Sequence, residues 1–308
     1  MSARRCSRKL RARLESCSGD KPLRLAFLVP PSDYHLDWDW TFDPQAEALR
    51  QMRATVDPVD WTADVDFNQY DLVLPLIAWG YHQRFAEWEA LLDRFERHGT
   101  RVANPVPVLR WNSDKSYLAE LRGKGVATVP TLAFESIDHE ALTEARHVFG
   151  SAELVIKPLI SASAYGTFRI GPGDALPDQV RGWRMLVQPW LKDIVKSGEY
   201  SLIFFDGEFS HSVSKVPRPG EFRVQPEYGG IIRRCDPPAG SVELARAALG
   251  AAPAATTYAR IDIVVGNDGA LQVIELELIE PALFMADAPD AAPRFAQAVL
   301  SAAKATRK

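Results

Sequence analysis

The residue types best suited to chemistry fall in the last third of the chain: Tyr258-Ala-Arg260-Ile-Asp262-Ile-Val-Val, a turn at Gly266-Asn-Asp-Gly269, then Leu271-Gln-Val-Ile-Glu275-Leu-Glu277-Leu-Ile-Glu280-Pro281. Two alternating runs around a glycine-bearing turn predict antiparallel strands, in which residues two apart point the same way. Glu275 and Glu277 then share a face, and Asp262 on the partner strand joins them. Three carboxylates so placed repel one another unless a cation neutralises them. An all-oxygen ligand set suits magnesium, whose shell nucleotide phosphates often complete. The same alternation also fits a solvated sheet face, with Ile261, Ile263, Ile274 and Leu276 turned into the core. Arg260 beside Asp262, and Lys115, Lys157, Lys215 and Arg223 upstream as ligands for phosphate oxygens, favour the metal.

The elements that must carry these residues are read from periodicity and turn chemistry. Leu23 to Val29, Val56 to Trp61, Tyr70 to Leu74 and Arg101 to Ala103 read as strands, alternating with helices over Gln45 to Arg53 and Arg84 to Arg97, the second stopped by Gly99. That alternation predicts a small parallel sheet with helices on its faces, which binds ligands at its strand ends. The loop Pro30 to Pro44 sits at one such end and carries Asp33, Tyr34, His35, Asp37, Trp38, Asp39, Trp40 and Asp43. Mixed aromatic and acidic residues suit a polar, amine-bearing small molecule; equally, the aromatics pin the loop to its domain.

Further on, Asn112 or Ser113 reads as the cap of a helix with Lys115 in its first turn. Thr128 to Phe134, Leu154 to Lys157 and Arg184 to Gln188 read as strands, and Asp138 to Val148 as a helix. Tyr200 to Phe205 and Glu208 to Ser214 flank Asp206-Gly207, a strong hairpin signal. The alanine-rich stretch near residue 245 reads as a helix ending at Gly250.

Composition narrows the function classes. With 308 residues, 46% hydrophobic and 25% charged, the chain is globular in character, and its net charge of -4 offers no bulk attraction to nucleic acid. No apolar run is long enough for a membrane helix and no apolar stretch follows the basic start, so a cytoplasmic protein is expected. Cys6, Cys17 and Cys235 lack the spacing of a zinc or redox motif. Residues 1–21, rich in Arg and Lys, are expected to be a disordered basic tail, or else a contact for an acidic surface or a targeting receptor. Self-association is left open.

Taken in order, Asn104-Pro105, Asn112-Ser-Asp-Lys115, Val155-Ile-Lys157-Pro158, Gln188-Pro-Trp-Leu191, Phe222-Arg223, Arg260-Ile-Asp262 and Glu275-Leu-Glu277 resemble the ATP-grasp superfamily, from about Leu23 to Leu300. The resemblance implies an α/β (α+β) fold: a small parallel N-terminal domain over 22–111, then two α+β lobes, 112–190 and 191–308, clasping ATP. It implies that Lys115 and Lys157 contact the phosphates, that Gln188, Pro189, Trp190 and Leu191 form the hinge receiving adenine, and that Glu199 takes the ribose hydroxyls. Trp190 also reads as simple core. Ser163 belongs to Ser161-Ala-Ser-Ala-Tyr-Gly166-Thr167, which stands where the family has a glycine-rich loop over the phosphates, although only one glycine is present here. Asp262, Glu275 and Glu277 would hold Mg2+, with Mn2+ as the alternative, and Glu277 stands where many members have asparagine.

By the same resemblance, Arg223 and Arg260, assisted by Lys215, stabilise charge on the transferred phosphoryl group and the tetrahedral intermediate. Glu227-Tyr228-Gly229-Gly230 reads as a loop over the reaction centre, or as a plain surface turn. No histidine base stands among these motifs; His211 lies on a hairpin strand of unknown facing. Gly198-Glu-Tyr-Ser-Leu-Ile-Phe-Phe-Asp-Gly207, Phe222-Arg-Val-Gln-Pro-Glu-Tyr-Gly-Gly230 and Glu275-Leu-Glu-Leu-Ile-Glu-Pro281 are similar to the glutathione-synthetase-like ligases and, more narrowly, to the cyclo-ligases that close D-cycloserine from O-ureido-D-serine. The implied activity is an ATP-dependent carboxylate-amine or carboxylate-hydroxylamine ligase acting through an acyl phosphate on a small amino-acid-like substrate, either intermolecularly or by cyclisation. Two rivals would keep the same ATP site: a non-catalytic ATP-binding regulatory module and a small-molecule phosphotransferase.

Overall fold

The computed structural model describes residues 21–225 and 228–305. Residues 1–20, with Cys6 and Cys17, and Glu227 of the expected loop over the reaction centre lie outside the described residues. Among the described residues the strands form three sheets.

The first sheet is parallel. β1 (Arg24–Val29), β2 (Thr55–Asp60) and β3 (Leu72–Leu74) lie in the order β2-β1-β3. Central β1 is apolar because both its faces are covered. Leu25, Phe27 and Val29 join a core with α1 (Asp39–Gln51) and the C-terminal helix, whereas Ala26 and Leu28 join a second core with α2 (Phe85–His98).

Three expectations are corrected here. Helix α1 begins at Asp39 rather than Gln45, so Asp39, Trp40 and Asp43 leave the expected loop; burial of Phe42, Ala46 and Leu49 outweighs the hydrogen bond lost at Pro44. Arg101 to Ala103 adds no strand, because β3 offers only three residues and Val102 makes a single bridge to Val73 before Pro105 turns the chain into helix α3 (Val106–Ser113). Asn112 and Ser113 end that helix instead of capping the next one. Pro105 and Pro107, at the cap and first turn, favour helix entry there. The chain restarts as α4 (Tyr117–Gly123), which leaves Lys115 in the link.

β4 (Leu132–Phe134), β5 (Leu154–Pro158), β6 (Phe168–Ile170) and β7 (Met185–Pro189) make an antiparallel sheet in the order β4-β7-β5-β6, covered by α5 (His139–Phe149). After the short α6 (Ile194–Ser197), β8 (Glu199–Phe205) turns through Asp206-Gly207 into β9 (Glu208–Val216). β10 (Ile231–Cys235), α7 (Ser241–Gly250), β11 (Tyr258–Val265) and β12 (Leu271–Glu277) complete a second antiparallel sheet, ordered β10-β9-β8-β11-β12. α8 (Ala292–Lys304) returns the chain to the core of α1 and the parallel sheet. Among the described residues, no helix is long and apolar enough to cross a membrane.

β12 is an edge strand, and an edge leaves backbone groups that need partners when buried. At Val273 the backbone of Ala127 and Val129 bonds this edge, and beyond it side chains take the place of a neighbouring strand. The Tyr117 hydroxyl accepts from the Leu276 N–H at 2.9 Å and lies 3.0 Å from the Leu276 carbonyl. The Asn112 amide donates to the Leu276 carbonyl at 2.7 Å and accepts from the Leu278 N–H at 2.8 Å. Asn104 donates to the Tyr258 and Leu278 carbonyls, both at 2.9 Å, and accepts from the Thr257 N–H at 2.6 Å. The strand that bears Glu275 and Glu277 is thereby held from outside the sheet.

Replacing Asn112 by alanine strands a buried donor at Leu278 and is expected to lower the unfolding free energy by roughly 2 kcal/mol. Urea-unfolding midpoints measure the change, and a loss below about 0.5 kcal/mol would reject the strand-substitute role.

Candidate active site

The three sheets surround one cavity of about 570 Å³, and every site residue named from the sequence lines it. Its floor is the face of the second antiparallel sheet. In the β11–β12 register, Asp262 lies opposite Glu275 and Arg260 opposite Glu277, so four charges alternate on one face. On the other side of β11, Ser201 of β8 lies opposite Asp262, and Glu199 of β8 opposite Lys215 of β9.

Asp262 is the most enclosed of these charges, its side chain 2% exposed. Ser201 donates to it at 2.5 Å, Arg260 at 2.8 and 3.0 Å, and Lys215 at 3.2 Å. Arg260 also pairs with Glu277, and Lys215 with Glu199. Lys115, from the α3–α4 link, reaches Glu275 at 2.5 Å. Gly198 makes the approach of β8 to β9 feasible: its φ is +66°, and a Cβ there would lie 2.2 Å from the Lys215 carbonyl oxygen.

Burial pushes the Asp262 carboxyl up, but Arg260 and Lys215 outweigh it and hold the group well below its ordinary range. Glu275 is likewise lowered, by Lys115 and Lys157 against burial. Glu277 is raised to about 7 by burial, with Arg260 opposing. Burial also raises Glu199 to about 7, against the pull of Lys215. Lys157 differs from the other cations: among the described residues it forms no ion pair, and burial lowers its pKa. A cation in that setting favours an incoming anion.

The β7 end supplies an apolar slot. Trp190 is buried yet faces the cavity, with the Arg169 guanidinium 4.1 Å from its ring centroid and Phe222 set edge-on at 5.6 Å. The Trp190 N–H donates to Glu153 and the Lys192 N–H to Asn267, whereas the Leu191 N–H between them has no hydrogen-bond partner among the described residues. Gln188 is turned to Thr131 at 3.0 Å. Also lining the cavity, the loop around Ser163 reaches left-handed backbone at Ser163, Ala164 and Gly166, with φ of 48°, 55° and 66°. Two non-glycine residues thus adopt the conformation that a glycine-rich loop would supply. Tyr165 of this loop rests between Trp183 and His82.

Solved structures match this arrangement. The chain aligns with the crystal structure of D-cycloserine synthetase DcsG at a TM-score of 0.80 and 29% identity, covering 91% of this chain and 100% of that one. The ATP-grasp ligase PsnB aligns at a TM-score of 0.62 and 18% identity, covering 90% and 99%; it has also been solved with minimal precursor, Mg and ADP. Among curated relatives, the cycloserine biosynthesis protein DcsG of Streptomyces lavendulae is 31% identical over 282 residues, 85% of this chain and 93% of the relative. The chain belongs to the DcsG family and shares the fold of the ATP-grasp ligase PsnB. The family model described as the N-terminal domain of D-cycloserine synthetase DcsG matches residues 26–104.

In this DcsG-family chain, Arg223 lines the cavity but is tied down, bidentate to Glu221 at 2.7 and 3.1 Å and with its guanidinium 3.7 Å from the Tyr228 ring centroid. His211 lies outside the cavity, 2.9 Å from the Leu283 carbonyl. Sequence reasoning passed over Ser201, although it stands two residues after Glu199 on a strand already expected. It also passed over Glu280, quoted in the acidic motif without a role. Glu280 lines the cavity, and burial together with Glu277 raises it to about 8.

The donor set fits a hard divalent cation. Glu275 and Glu277 offer carboxylate oxygens, each side chain 25% exposed. Among the described residues no three Asp, Glu, His or Cys side chains form a ready cage. An ion that completes its shell with phosphates needs only one or two carboxylates.

The Glu280 shift carries a pH signature. A raised carboxyl gives stability that is complete below its ordinary value of 4.5 and lost as pH rises through about 8. Without nucleotide, Glu280→Gln should therefore gain melting temperature relative to the parent as pH is raised from about 5 to about 8.5. A difference that stays constant across that range counts against the shift.

Proposed function

We propose that this ATP-grasp ligase activates the carboxyl group of a small amino-acid-like substrate as an acyl phosphate and then forms a C–N bond. The carboxylate oxygen attacks the γ-phosphorus and ADP leaves; a nitrogen nucleophile then attacks the acyl carbon and phosphate leaves, the nitrogen's proton passing to phosphate or solvent. The supporting observation is Lys157, a buried cation without an ion pair among the described residues, facing the same cavity as the carboxylate row. Similarity to a D-cycloserine synthetase favours ring closure within one molecule over joining two. We place the activity in the cytoplasm, where ATP is supplied.

In this reading Lys157 and Lys115 take the phosphates, with Lys115 turning from Glu275 to do so, and the loop around Ser163 adds backbone N–H groups. Adenine enters the slot of Pro189, Trp190 and Leu191, where the Leu191 N–H is available to a ring nitrogen, and Glu199 faces the ribose. Glu275 and Glu277, with Asp262 behind them, would hold magnesium, which when bound neutralises phosphate charge. Arg260 and Lys215 stay beside the reacting groups, and Arg223 reaches them on leaving Glu221.

Incubation with MgATP and O-ureido-D-serine, with ADP and product mass read together, tests the proposal. ADP with a mass matching D-cycloserine supports cyclisation, ADP with a phosphorylated product points to a phosphotransferase, and no ADP above background with this or a panel of amino acids rejects the ligase activity. Glu275→Ala is expected to fold normally yet lose at least about 100-fold in kcat, as when a transition-state charge stabiliser is removed. Retained turnover would exclude Glu275 as a metal ligand.

A further inference from the structure

On the cavity floor the carboxylates are matched to cations: Asp262 to Arg260 and Lys215, Glu275 to Lys115, Glu277 to Arg260, Glu199 to Lys215. Glu280 is the exception. It lines the same cavity and is partly buried, yet among the described residues its side chain has neither an ion pair nor a hydrogen bond. It lies beyond the end of β12, where the chain has left the carboxylate row. The Tyr258 hydroxyl, 2.9 Å from the Ile279 carbonyl, anchors the backbone just before it. Its neighbours pack into the two cores of the parallel sheet, Ile279 in the core that includes Tyr81 and Ala282 against the core that Trp79 also covers, so Glu280 lies where the parallel-sheet domain walls the cavity.

That wall is aromatic. Tyr34, Trp40 and Trp79 all line the cavity, with ring centroids 6.3 Å apart for Tyr34 and Trp79 and 6.0 Å for Trp40 and Trp79. Trp79 is fixed by the Trp61 indole N–H, which donates to its carbonyl at 3.0 Å. Aromatic faces attract organic cations, and an ammonium bound beside Glu280 favours its ionised form against burial, so that the carboxylate then supplies the opposite charge.

We propose that Glu280 and the aromatic wall of Tyr34, Trp40 and Trp79 form the subsite for a free ammonium group on the substrate. The ammonium is a recognised group, distinct from the nitrogen that forms the new bond. The substrate class is then a small amino acid whose α-amine stays free while its carboxyl is activated. This deepens the ligase reading and depends on it.

The test is calorimetric titration of matched pairs into full-length protein loaded with magnesium and AMPPNP: O-ureido-D-serine against 3-(ureidooxy)propanoate, and D-serine against 3-hydroxypropanoate. The parent protein is expected to bind an amine-bearing member at least about tenfold more tightly than its partner, the scale of one charge-assisted contact. In Glu280→Gln that preference should fall to within about threefold while AMPPNP affinity is unchanged. Trp40→Ala, at a site 52% exposed and so safe for folding, should weaken the preference several-fold and decides the matter if Glu280→Gln does not fold. A preference that persists in the folded variants, or is missing from the parent, overturns the subsite. Binding of AMPPNP without binding of either pair also overturns it and leaves the ATP site standing. Failure to bind AMPPNP sinks the ligase reading itself.

Discussion

The enclosure of Asp262 is the constraint on which the site depends. A carboxylate taken out of water is several kcal/mol uphill unless fixed charges and donors replace its hydration. Ser201, Lys215 and Arg260 do so, each delivered by strand register rather than by a flexible approach. Arg260, once committed to Asp262, also draws in Glu277, and Lys215 draws in Glu199. A one-residue slip of β11 would send Asp262 into the apolar core and Ile261 or Ile263 onto the charged floor. Fold register and site electrostatics are therefore one specification.

The same logic explains the unusual care taken over β12. An edge strand is free to shift or fray, and a shift would move Glu275 and Glu277 together. Tyr117, Asn112 and Asn104 replace the missing neighbour with side-chain hydrogen bonds, and they come from the segment joining the parallel sheet to the rest of the chain. The helix break that corrects the sequence expectation at Ser113 serves this end, because it turns Asn112 onto the strand and leaves Lys115 pointing at Glu275. Besides these paired charges the cavity carries an apolar slot at Trp190, aromatic rings at Tyr34, Trp40 and Trp79, and in Glu280 a carboxylate with no ion pair among the described residues.

Much of this was legible in advance where a pattern repeats locally. The period-two alternation about Asp262, Glu275 and Glu277, the Asp206-Gly207 turn and the caps at Asp138 and Gly99 each declare their element through neighbours in sequence. β6 and β10 did not, being short and exposed in part, so their pairing rather than their composition defines them. Nor did the early start of α1, where packing of Phe42 on β1 overrides the proline that suggested a loop.

By itself, the sequence determined which side chains alternate to one face, which turns close the hairpins, and the ordered set of lysines, hinge residues and acids that marks an ATP-grasp chain. Only the tertiary structure decided their pairings. It joined Lys115 to Glu275 across 160 positions, set Ser201 against Asp262, tied Arg223 to Glu221 and left Glu280 without an ion pair among the described residues. The reason is physical: alternation fixes direction within a strand, but the partner of a charge depends on which strands lie side by side and in what register. Those are set by the burial of cores assembled from distant segments.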